Sequence, residues 1–181
     1  MNIKRLSLSV VLISGLLLLS TAKAGDFVAK LNDSSWDGIS VPRGEQCQKF
    51  GGNAPKTPVL SVSGIPAGTN LIILEFSDRS YQRMDNGGHG KIGYALNRQS
   101  DKVLIPSVSG HSFALPAGFF MVAAHRSPKW DKAGAYMPPC SGGKGNAYYV
   151  TIKAVKAVKA VKQGGESSEI MAQHIVEMGR Y

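Results

Sequence analysis

The sequence lacks the patterns that mark several common classes of enzyme and metalloprotein. No Gly-x-Ser-x-Gly segment occurs, so a hydrolase of that type would have no nucleophile. Gly143-Lys144 lacks both the earlier glycine and the following serine or threonine of a phosphate-binding P-loop. The four histidines show no metal-ligand spacing with one another or with the two cysteines. The sequence therefore predicts no catalytic activity, no metal and no cofactor.

Basic clusters and long apolar runs are also scarce. The formal net charge is +9, but the positive residues are mostly scattered and do not interleave with aromatic side chains as in a nucleic-acid-binding ribbon. No apolar stretch of membrane-spanning length follows residue 24. We therefore expect neither a nucleic-acid partner nor a stable membrane anchor. The basic charge favours anionic ligands, lipid head groups or acidic protein surfaces.

The first 24 residues have the three regions of a secretory signal peptide. Lys4-Arg5 supply the positive region, residues 6–19 the apolar region, and Ala22-Lys23-Ala24 a small-x-small cleavage site. The alternative is an uncleaved anchor helix, for which the apolar stretch is short. Removing these 24 residues, with their three positive charges, from 181 residues of net charge +9 leaves 157 residues of charge +6. We expect one periplasmic or secreted domain over residues 25–181.

Cysteine is represented by a single pair, Cys47 and Cys140. An even number of cysteines in an exported chain favours a disulfide, because the periplasm and the extracellular space are oxidising. Such a bridge would join an N-terminal turn to the glycine-rich segment near residue 140. The alternative is two separate buried thiols that pack as small apolar groups.

Short β-branched and aromatic runs recur between turn residues, at positions 27–31, 59–62, 71–76, 92–96, 119–124 and 148–155. Strands at this spacing predict a mainly β fold, an antiparallel sandwich. At the end of the chain, from about Ser167, apolar residues recur with helical spacing (Ile170, Met171, His174, Ile175 and Met178). This spacing predicts a C-terminal α-helix.

A three-residue repeat of lysine, alanine and valine occupies positions 153–162. Its first residues are expected to extend the strand that begins at Tyr148. For the remainder, a short basic helix and a solvated linker both fit the composition, and a contact with an anionic membrane is a further alternative.

Residues 136–155 are the most informative stretch, since a Pro-Pro turn and a glycine-rich loop run directly into an aromatic strand. Proline fixes φ, and glycine lets main-chain N–H groups approach a ligand closely. The strand that follows supplies a rigid edge for the loop. This combination is typical of the wall of a binding pocket.

The same stretch resembles the phosphatidylethanolamine-binding protein family, whose members carry Tyr-x-Gly-Pro-x-Pro-Pro, a glycine-containing spacer and His-Arg-Tyr before a strand. Tyr136, Pro139 and Tyr148 match this pattern in position, whereas Asn146 stands in place of the family's histidine. A run over residues 41–69 also resembles the family, with Gly-Ile-Pro-Ala-Gly-Thr at its end.

Two further matches follow in the same order. Asp78 corresponds to the aspartate at the end of a family strand, and His89 to the histidine of a His-Trp pair about ten residues later. The closing Gly179-Arg180-Tyr181 is similar to the family's Gly-x-Tyr. Taken alone, Asp78 suits a turn and His89 an exposed loop; their order within the resemblance favours a shared site.

The resemblance implies a β-sandwich with a small cavity that binds anions and phosphate-bearing head groups. It also implies that an imidazole and main-chain N–H groups donate to the anion while a carboxylate orients the imidazole. The implied ligand-binding residues are Asp78, His89, Tyr136, Pro139, Asn146 and Tyr148.

Three departures from the family pattern predict weaker binding than in relatives with the full motif. Arg79-Ser80 replace a proline and a second aspartate, Gly90 replaces a tryptophan, and Asn146 removes a group that can carry positive charge. Arg79 and Lys144 are candidates to compensate.

We interpret the chain as an exported, non-catalytic binding protein for a small anion or phospholipid head group. The leading alternative is an inhibitor or signalling module that acts through contact with a protein partner. A third class, an enzyme using Asp78 and His89 for acid–base chemistry, has neither a nucleophile nor a metal to accompany the pair.

Overall fold

The computed structural model describes residues 25–157 and 168–181. The expected signal peptide and the later part of the lysine repeat, residues 158–162, lie outside the described residues. Within the described part of the chain, no helix has the length and apolar character that crossing a membrane requires.

Two antiparallel sheets make up the fold. The described residues form eight strands: β1 (Val28–Leu31), β2 (Leu60–Ser63), β3 (Leu71–Asp78), β4 (Gly90–Ala95), β5 (Lys102–Ile105), β6 (Phe119–Ala123), β7 (Ala147–Ala157) and β8 (Ser168–Arg180). One sheet has the order β1-β2-β5 and the other β6-β4-β3-β7-β8. The predicted mainly β class is therefore confirmed, and β5 is a strand that the sequence patterns had not indicated.

Strand β3 is central to the larger sheet, between β4 and β7. Its residues Ile72, Leu74 and Phe76 are buried in the core between the sheets, as alternation along a strand requires. Asp78 continues this alternation and therefore projects from the core-facing side at the point where β3 ends. Its neighbour across the ladder is Tyr148, near the start of β7. The pairing of these two strands thus brings two predicted site residues side by side.

The predicted C-terminal α-helix is wrong, because residues 168–180 form strand β8 on the edge of the larger sheet. Strand β8 pairs with β7 from Ala157–Ser168 to Ala147–Arg180, which satisfies the main chain that a helix would have bonded internally. Near its end the burial alternates, with Val176 and Met178 buried and Glu177 exposed. The strand is bulged at two places, which breaks a strict two-residue period along the sequence.

The lysine repeat enters the sheet, as expected, because β7 continues to Ala157. Lys153 lies on the outer face of the sheet, where its Nζ is 2.9 Å from Glu75. Lys91 on β4 contacts the same carboxylate at 2.9 Å. The first lysine of the repeat therefore joins an ion cluster across three strands.

The predicted disulfide between Cys47 and Cys140 is present and links positions 93 residues apart. The bridge lies in a small apolar cluster with Met84 and Met137, against which Phe50 packs. The N–H group of Cys47 donates to the carbonyl of Pro139 at 2.9 Å. This bridge ties the N-terminal turn to the Pro-Pro loop.

Loss of the disulfide is expected to lower the free energy of unfolding by about 4–5 kcal/mol, because the bridge closes a long loop in the unfolded chain. The test is guanidinium denaturation of the oxidised protein and of the Cys47→Ala/Cys140→Ala double variant. Alanine is used because both sites are buried. Equal denaturation midpoints, or alkylation of both thiols without reductant, would contradict this expectation.

Candidate functional site

A cleft of about 970 Å³ opens where β3 ends and β7 begins. Four of the six predicted ligand-binding residues line it: Asp78, His89, Asn146 and Tyr148. We call these four residues the floor, because Asp78, His89 and Tyr148 are almost wholly buried and Asn146 is partly buried.

The carboxylate of Asp78 is held by donors on both oxygens. The N–H group of Ser80 donates to Oδ1 at 2.9 Å, and the side-chain amide of Asn146 donates to Oδ2 at 2.6 Å. Burial raises the pKa of Asp78, while hydrogen bonds from Asn146, Ser80 and Tyr148 offset part of that effect and the nearby charge of Asp85 adds to it. Asp78 is therefore a fixed acceptor at the base of the cleft.

The imidazole of His89 is oriented by the main chain of Met137. The Nδ1 atom lies 2.7 Å from the carbonyl oxygen of Met137. Because a carbonyl can only accept, Nδ1 carries the proton, and Nε2 of the neutral ring is an acceptor. Burial lowers the pKa of His89 to about 4, although the carbonyls of Met137 and Pro138 favour the protonated form. The imidazole is thus neutral at pH 7.

The expected orientation of the imidazole by a carboxylate is wrong in this chain. The hydrogen bonds of Asp78 involve Ser80 and Asn146, whereas His89 is bonded to Met137 through both its ring and its main-chain carbonyl. The carbonyl contact explains why a buried histidine needs no charged partner here.

Gly90 makes this arrangement possible. Its φ is +119°, and a Cβ atom there would lie 2.0 Å from the carbonyl oxygen of Ala135. The segment 135–137 can therefore run directly against His89 and Gly90 only because residue 90 has no side chain. The glycine that replaces the family's tryptophan is a steric requirement of this site.

Tyr148 and Asn146 complete the floor. The hydroxyl of Tyr148 accepts from the N–H group of Cys140 at 3.1 Å, and its ring meets that of His89 edge-on at 5.3 Å between centroids. Burial raises the pKa of Tyr148 to about 12, so the phenol stays protonated. Asn146 occupies the position of the family's histidine and donates one N–H of its amide to Asp78.

Tyr136 and Pro139 lie behind the floor and do not line the cleft. Tyr136 belongs to the main core, where its ring packs on Phe76 at 4.6 Å between centroids. Its hydroxyl has no hydrogen-bond partner among the described residues. The structure thus gives these two residues a packing position, and a role in ligand binding remains a prediction.

The glycine-rich loop is anchored to the end of β8. The N–H groups of Gly145 and Asn146 donate to the main-chain oxygen of Tyr181 at 2.8 and 3.0 Å. The hydroxyl of Ser141 donates to the same oxygen at 2.5 Å. These two N–H groups are therefore committed to the fold and are not free to bind an anion.

Four basic residues, which the sequence reasoning largely missed, line the outer part of the cleft: Arg83, Arg126, Lys129 and Lys144. We call this set the basic mouth. Asp78 is the one acidic residue lining the cleft in the described part of the chain. Arg79, the other expected compensating residue, turns away and forms two hydrogen bonds with Glu177 at 2.7 and 3.1 Å.

The side chains of the basic mouth are fixed by contacts that the sequence gives little means of predicting. The guanidinium of Arg126 donates to the carbonyls of Arg83, Asp85 and Asn86 at 2.9–3.2 Å. Lys49 lies 3.5 Å above the ring of Trp130, which also borders the cleft. The segment Arg126-Ser-Pro-Lys-Trp130 combines basic and aromatic residues around a proline, and this is the feature that could have revealed it.

Potential metal ligands come together once among the described residues, at Cys47, Cys140 and Asp131. The disulfide leaves neither cysteine with a thiolate to offer. This group is therefore unsuited to a metal ion.

Comparison with solved structures identifies the fold. The Escherichia coli protein YbcL, described as a member of the mammalian PEBP family, has a TM-score of 0.56 and 18% identity over 87% of this chain and 98% of its own. A phosphatidylethanolamine-binding protein homolog from Chlamydia trachomatis has a TM-score of 0.46 and 20% identity, over 84% of this chain and 96% of its own. No protein-family model and no curated protein sequence matches the chain. The likeness to YbcL shows that this chain has the phosphatidylethanolamine-binding protein fold, as the sequence resemblance implied.

Gly90→Ala is expected to destabilise the protein by at least about 2 kcal/mol, because it combines a positive φ with a collision against main chain. Gly143→Ala is the matched control, since Gly143 has a φ of +77° but no atom lies within 4 Å of the position that an alanine Cβ would take there. Both variants carry the strain of a positive φ, so the difference between their free energies of unfolding in urea denaturation measures the cost of the collision. A cost for Gly90→Ala no larger than that for Gly143→Ala would show that the close approach is not required.

Stability is expected to fall as the pH falls from 6.5 to about 4. Across this window the unfolded state takes up a proton on His89, while the folded state, with its pKa lowered to about 4 by burial, does not. The stabilisation is complete above pH 6.5, and its loss amounts to roughly 3 kcal/mol. His125, whose pKa burial also lowers, adds to the slope, and the raised pKa of Asp78 opposes it at the acid end.

The measurement is urea denaturation of wild type and His89→Asn between pH 7.5 and 4. Asparagine can still donate to the Met137 carbonyl but does not titrate. The variant should show a shallower loss of stability on acidification. Identical slopes would mean that His89 does not carry the effect.

Proposed function

We propose that this chain is an exported, non-catalytic binding protein whose cleft takes a small anion or a phosphate-bearing head group. The observation that carries the proposal is the charge of the cleft, where four basic residues surround a buried polar floor with one carboxylate. The fold shared with YbcL, a PEBP-family member, supports the same class of function. The protein would act by holding its ligand.

The basic mouth favours an anionic group on electrostatic grounds. Cations in a cleft with low-dielectric walls focus the field and raise the local concentration of anions. Lys129 and Lys144 are exposed and line the cleft, so their charge is accessible to a ligand. Arg126 is fixed by its three carbonyl contacts. Its charge is therefore already in place, and little side-chain entropy would be lost when a ligand binds.

The serine hydroxyls in the cleft support a non-catalytic function. Ser80 accepts from the N–H group of Ala147 at 3.0 Å, Ser127 contacts Met84, and Ser141 donates to Tyr181. In the described structure, none of the three hydroxyls bonds to a histidine or a carboxylate that could activate it. Binding without turnover is the simpler function for this arrangement.

Export is proposed on two independent features. The first 24 residues have the order of a signal peptide, and the Cys47–Cys140 disulfide is a bond that persists in oxidising compartments. We therefore assign the protein to the periplasm or the extracellular space.

Binding should be weaker than in relatives with the full motif. Asn146 cannot supply a positive charge, and one of its two amide N–H groups already donates to Asp78. The neutral imidazole of His89 likewise offers no charge at pH 7. The basic mouth therefore carries most of the attraction for an anion.

Calorimetric titration with inorganic phosphate and with phosphoethanolamine tests this function. The Lys129→Gln/Lys144→Gln variant should bind roughly tenfold more weakly, since a hydrogen bond to a charged group contributes about 1.5–3 kcal/mol before solvent screening. Lys30→Gln/Lys102→Gln removes the same charge from exposed positions on the smaller sheet and should bind like wild type. Absence of binding by wild type, or equal weakening in both variants, would rule out the proposed site.

A further inference from the structure

The segment 126–132 borders the cleft and supplies two of the four basic residues of the mouth, Arg126 and Lys129. We call it the mouth segment. Two buried histidines, His111 and His125, contact it, and neither of them lines the cleft. A buried titratable group that contacts part of a site can make the position of that part depend on pH.

The carbonyl oxygen of Lys132 is the point at which both histidines contact the mouth segment. Nδ1 of His111 lies 3.1 Å and Nε2 of His125 lies 3.2 Å from this oxygen. Because a carbonyl can only accept, each of these nitrogens carries a proton, and the two lone pairs of the oxygen serve both donors. Two imidazole N–H groups therefore fix one end of the segment.

The second nitrogen of His125 fixes the other end of the mouth segment. The N–H group of Ser127 donates to Nδ1 of His125 at 3.3 Å, which requires an unprotonated Nδ1. In its neutral form His125 thus bridges the segment, with a donor for Lys132 and an acceptor for Ser127. A second proton would set two N–H groups against each other, so the contact with Ser127 cannot survive protonation of the ring in place.

His111 differs from His125, because its hydrogen bonds are compatible with either protonation state. Nε2 lies 3.3 Å from the nitrogen of the Gln48 N–H group, which donates to it in the neutral ring, and 3.3 Å from the Asp131 carboxylate, which would accept from it in the charged ring. The φ of His111 is +56°, a conformation that a residue other than glycine keeps when its surroundings hold it there. Acidification therefore threatens the contacts of His125 and not those of His111.

Burial and like charge oppose a proton on His125 while it stays in place. The charged and titratable groups around it include His89, His111, Asp131 and Arg126, whose guanidinium is bonded to the carbonyls of residues 83, 85 and 86. Burial lowers the pKa of His125, and the charge of His111 adds to this effect, while the Lys132 carbonyl and the charge of Asp131 oppose it. The proton is therefore taken up more readily when the ring leaves its position and reaches solvent.

We propose that His125 is a pH-sensitive switch for the mouth segment: acidification breaks its contact with Ser127, releases residues 126–130 and lowers the affinity of the cleft for anions. This inference rests on the proposed function and adds its regulation. The closed form is favoured above pH 6.5, the ordinary pKa of histidine, and the released form gains at most about tenfold per pH unit below it.

Protonation of His125 without movement would have the opposite effect on binding. A positive charge added behind the mouth would attract anions more strongly. Release, in contrast, takes Arg126 and Lys129 away from the cleft. The sign of the pH dependence therefore separates the two events.

The first experiment is hydrogen–deuterium exchange of the wild-type protein without ligand, between pH 7.5 and 5.0. His89, whose pKa is about 4, stays mostly neutral in this range. After correction for the intrinsic pH dependence of exchange, protection of the peptide 124–135 should fall roughly tenfold. Protection of 147–157, which is strand β7, should change little. Constant protection of 124–135, or an equal loss in both peptides, would overturn the proposal.

The second experiment is calorimetric titration with sulfate, which keeps its double charge across this range. The affinity of wild type should fall roughly threefold to tenfold between pH 7.5 and 5.0, because the competent, closed form is then the minority. An affinity that is constant or rises on acidification would overturn the proposal, even if the exchange of 124–135 changes.

The variant His125→Asn assigns the effect to one residue. The asparagine oxygen can take the place of Nδ1 and accept from Ser127, but it does not titrate. Protection and sulfate affinity should then be nearly the same at pH 7.5 and 5.0. His174→Asn is the matched control, since it removes a partly exposed histidine on β8 and should respond like wild type. A wild-type response in His125→Asn would overturn the proposal. If His125→Asn does not fold, the exchange and titration of wild type decide.

The failure of this inference differs from the failure of the proposed function. If wild type binds neither phosphate nor sulfate at pH 7.5, the function fails and with it the regulation of binding. If it binds them at pH 7.5 with the same affinity for sulfate at pH 5.0, the function stands and the switch fails.

Discussion

The arrangement of the site depends on the close approach of the segment 135–137 to His89 and Gly90. Two hydrogen bonds join Met137 to His89, one from the Met137 N–H group and one to its carbonyl. They place the imidazole and decide which of its nitrogens is protonated, while burial keeps the ring neutral. The contact requires a glycine at position 90. A main-chain contact therefore fixes the orientation and the tautomer of His89 in the floor.

The fold supports this contact from two sides. Pairing of β3 with β7 sets Asp78 beside Tyr148, and the Cys47–Cys140 bridge holds the Pro-Pro loop against the N-terminal turn. The apolar cluster around the bridge includes Met137 itself. Displacement of the loop would therefore expose apolar surface as well as break the hydrogen bonds to His89. Stability and site geometry are coupled through the same residues.

Sequence patterns predicted the β class, most strand positions and the disulfide, because these depend on alternation and on a single possible cysteine pair. They failed for β8, since its bulges imitate a helical spacing and its pairing with β7 is a long-range property. The family resemblance, and not the patterns, brought Asp78 and His89 to one cleft, and neither revealed Met137, whose contribution is a carbonyl oxygen that any residue could supply. Of the basic mouth only Lys144 was anticipated, because Arg83 and Arg126 are distant from it in sequence and the three meet only in the folded chain.

The three departures from the family pattern are mutually consistent, which argues against simple decay of a site. Gly90 has no side chain because main chain fills the space. Asn146 is uncharged, and its amide satisfies Asp78. Arg79 stacks 4.4 Å above the ring of Tyr149 while it pairs with Glu177 on the outer side of the sheet. Each replacement has a packing or hydrogen-bonding partner in this chain, so the floor forms a satisfied network with its remaining lone pairs facing the cleft. A network of this kind is rigid, so the floor keeps one arrangement of its polar groups.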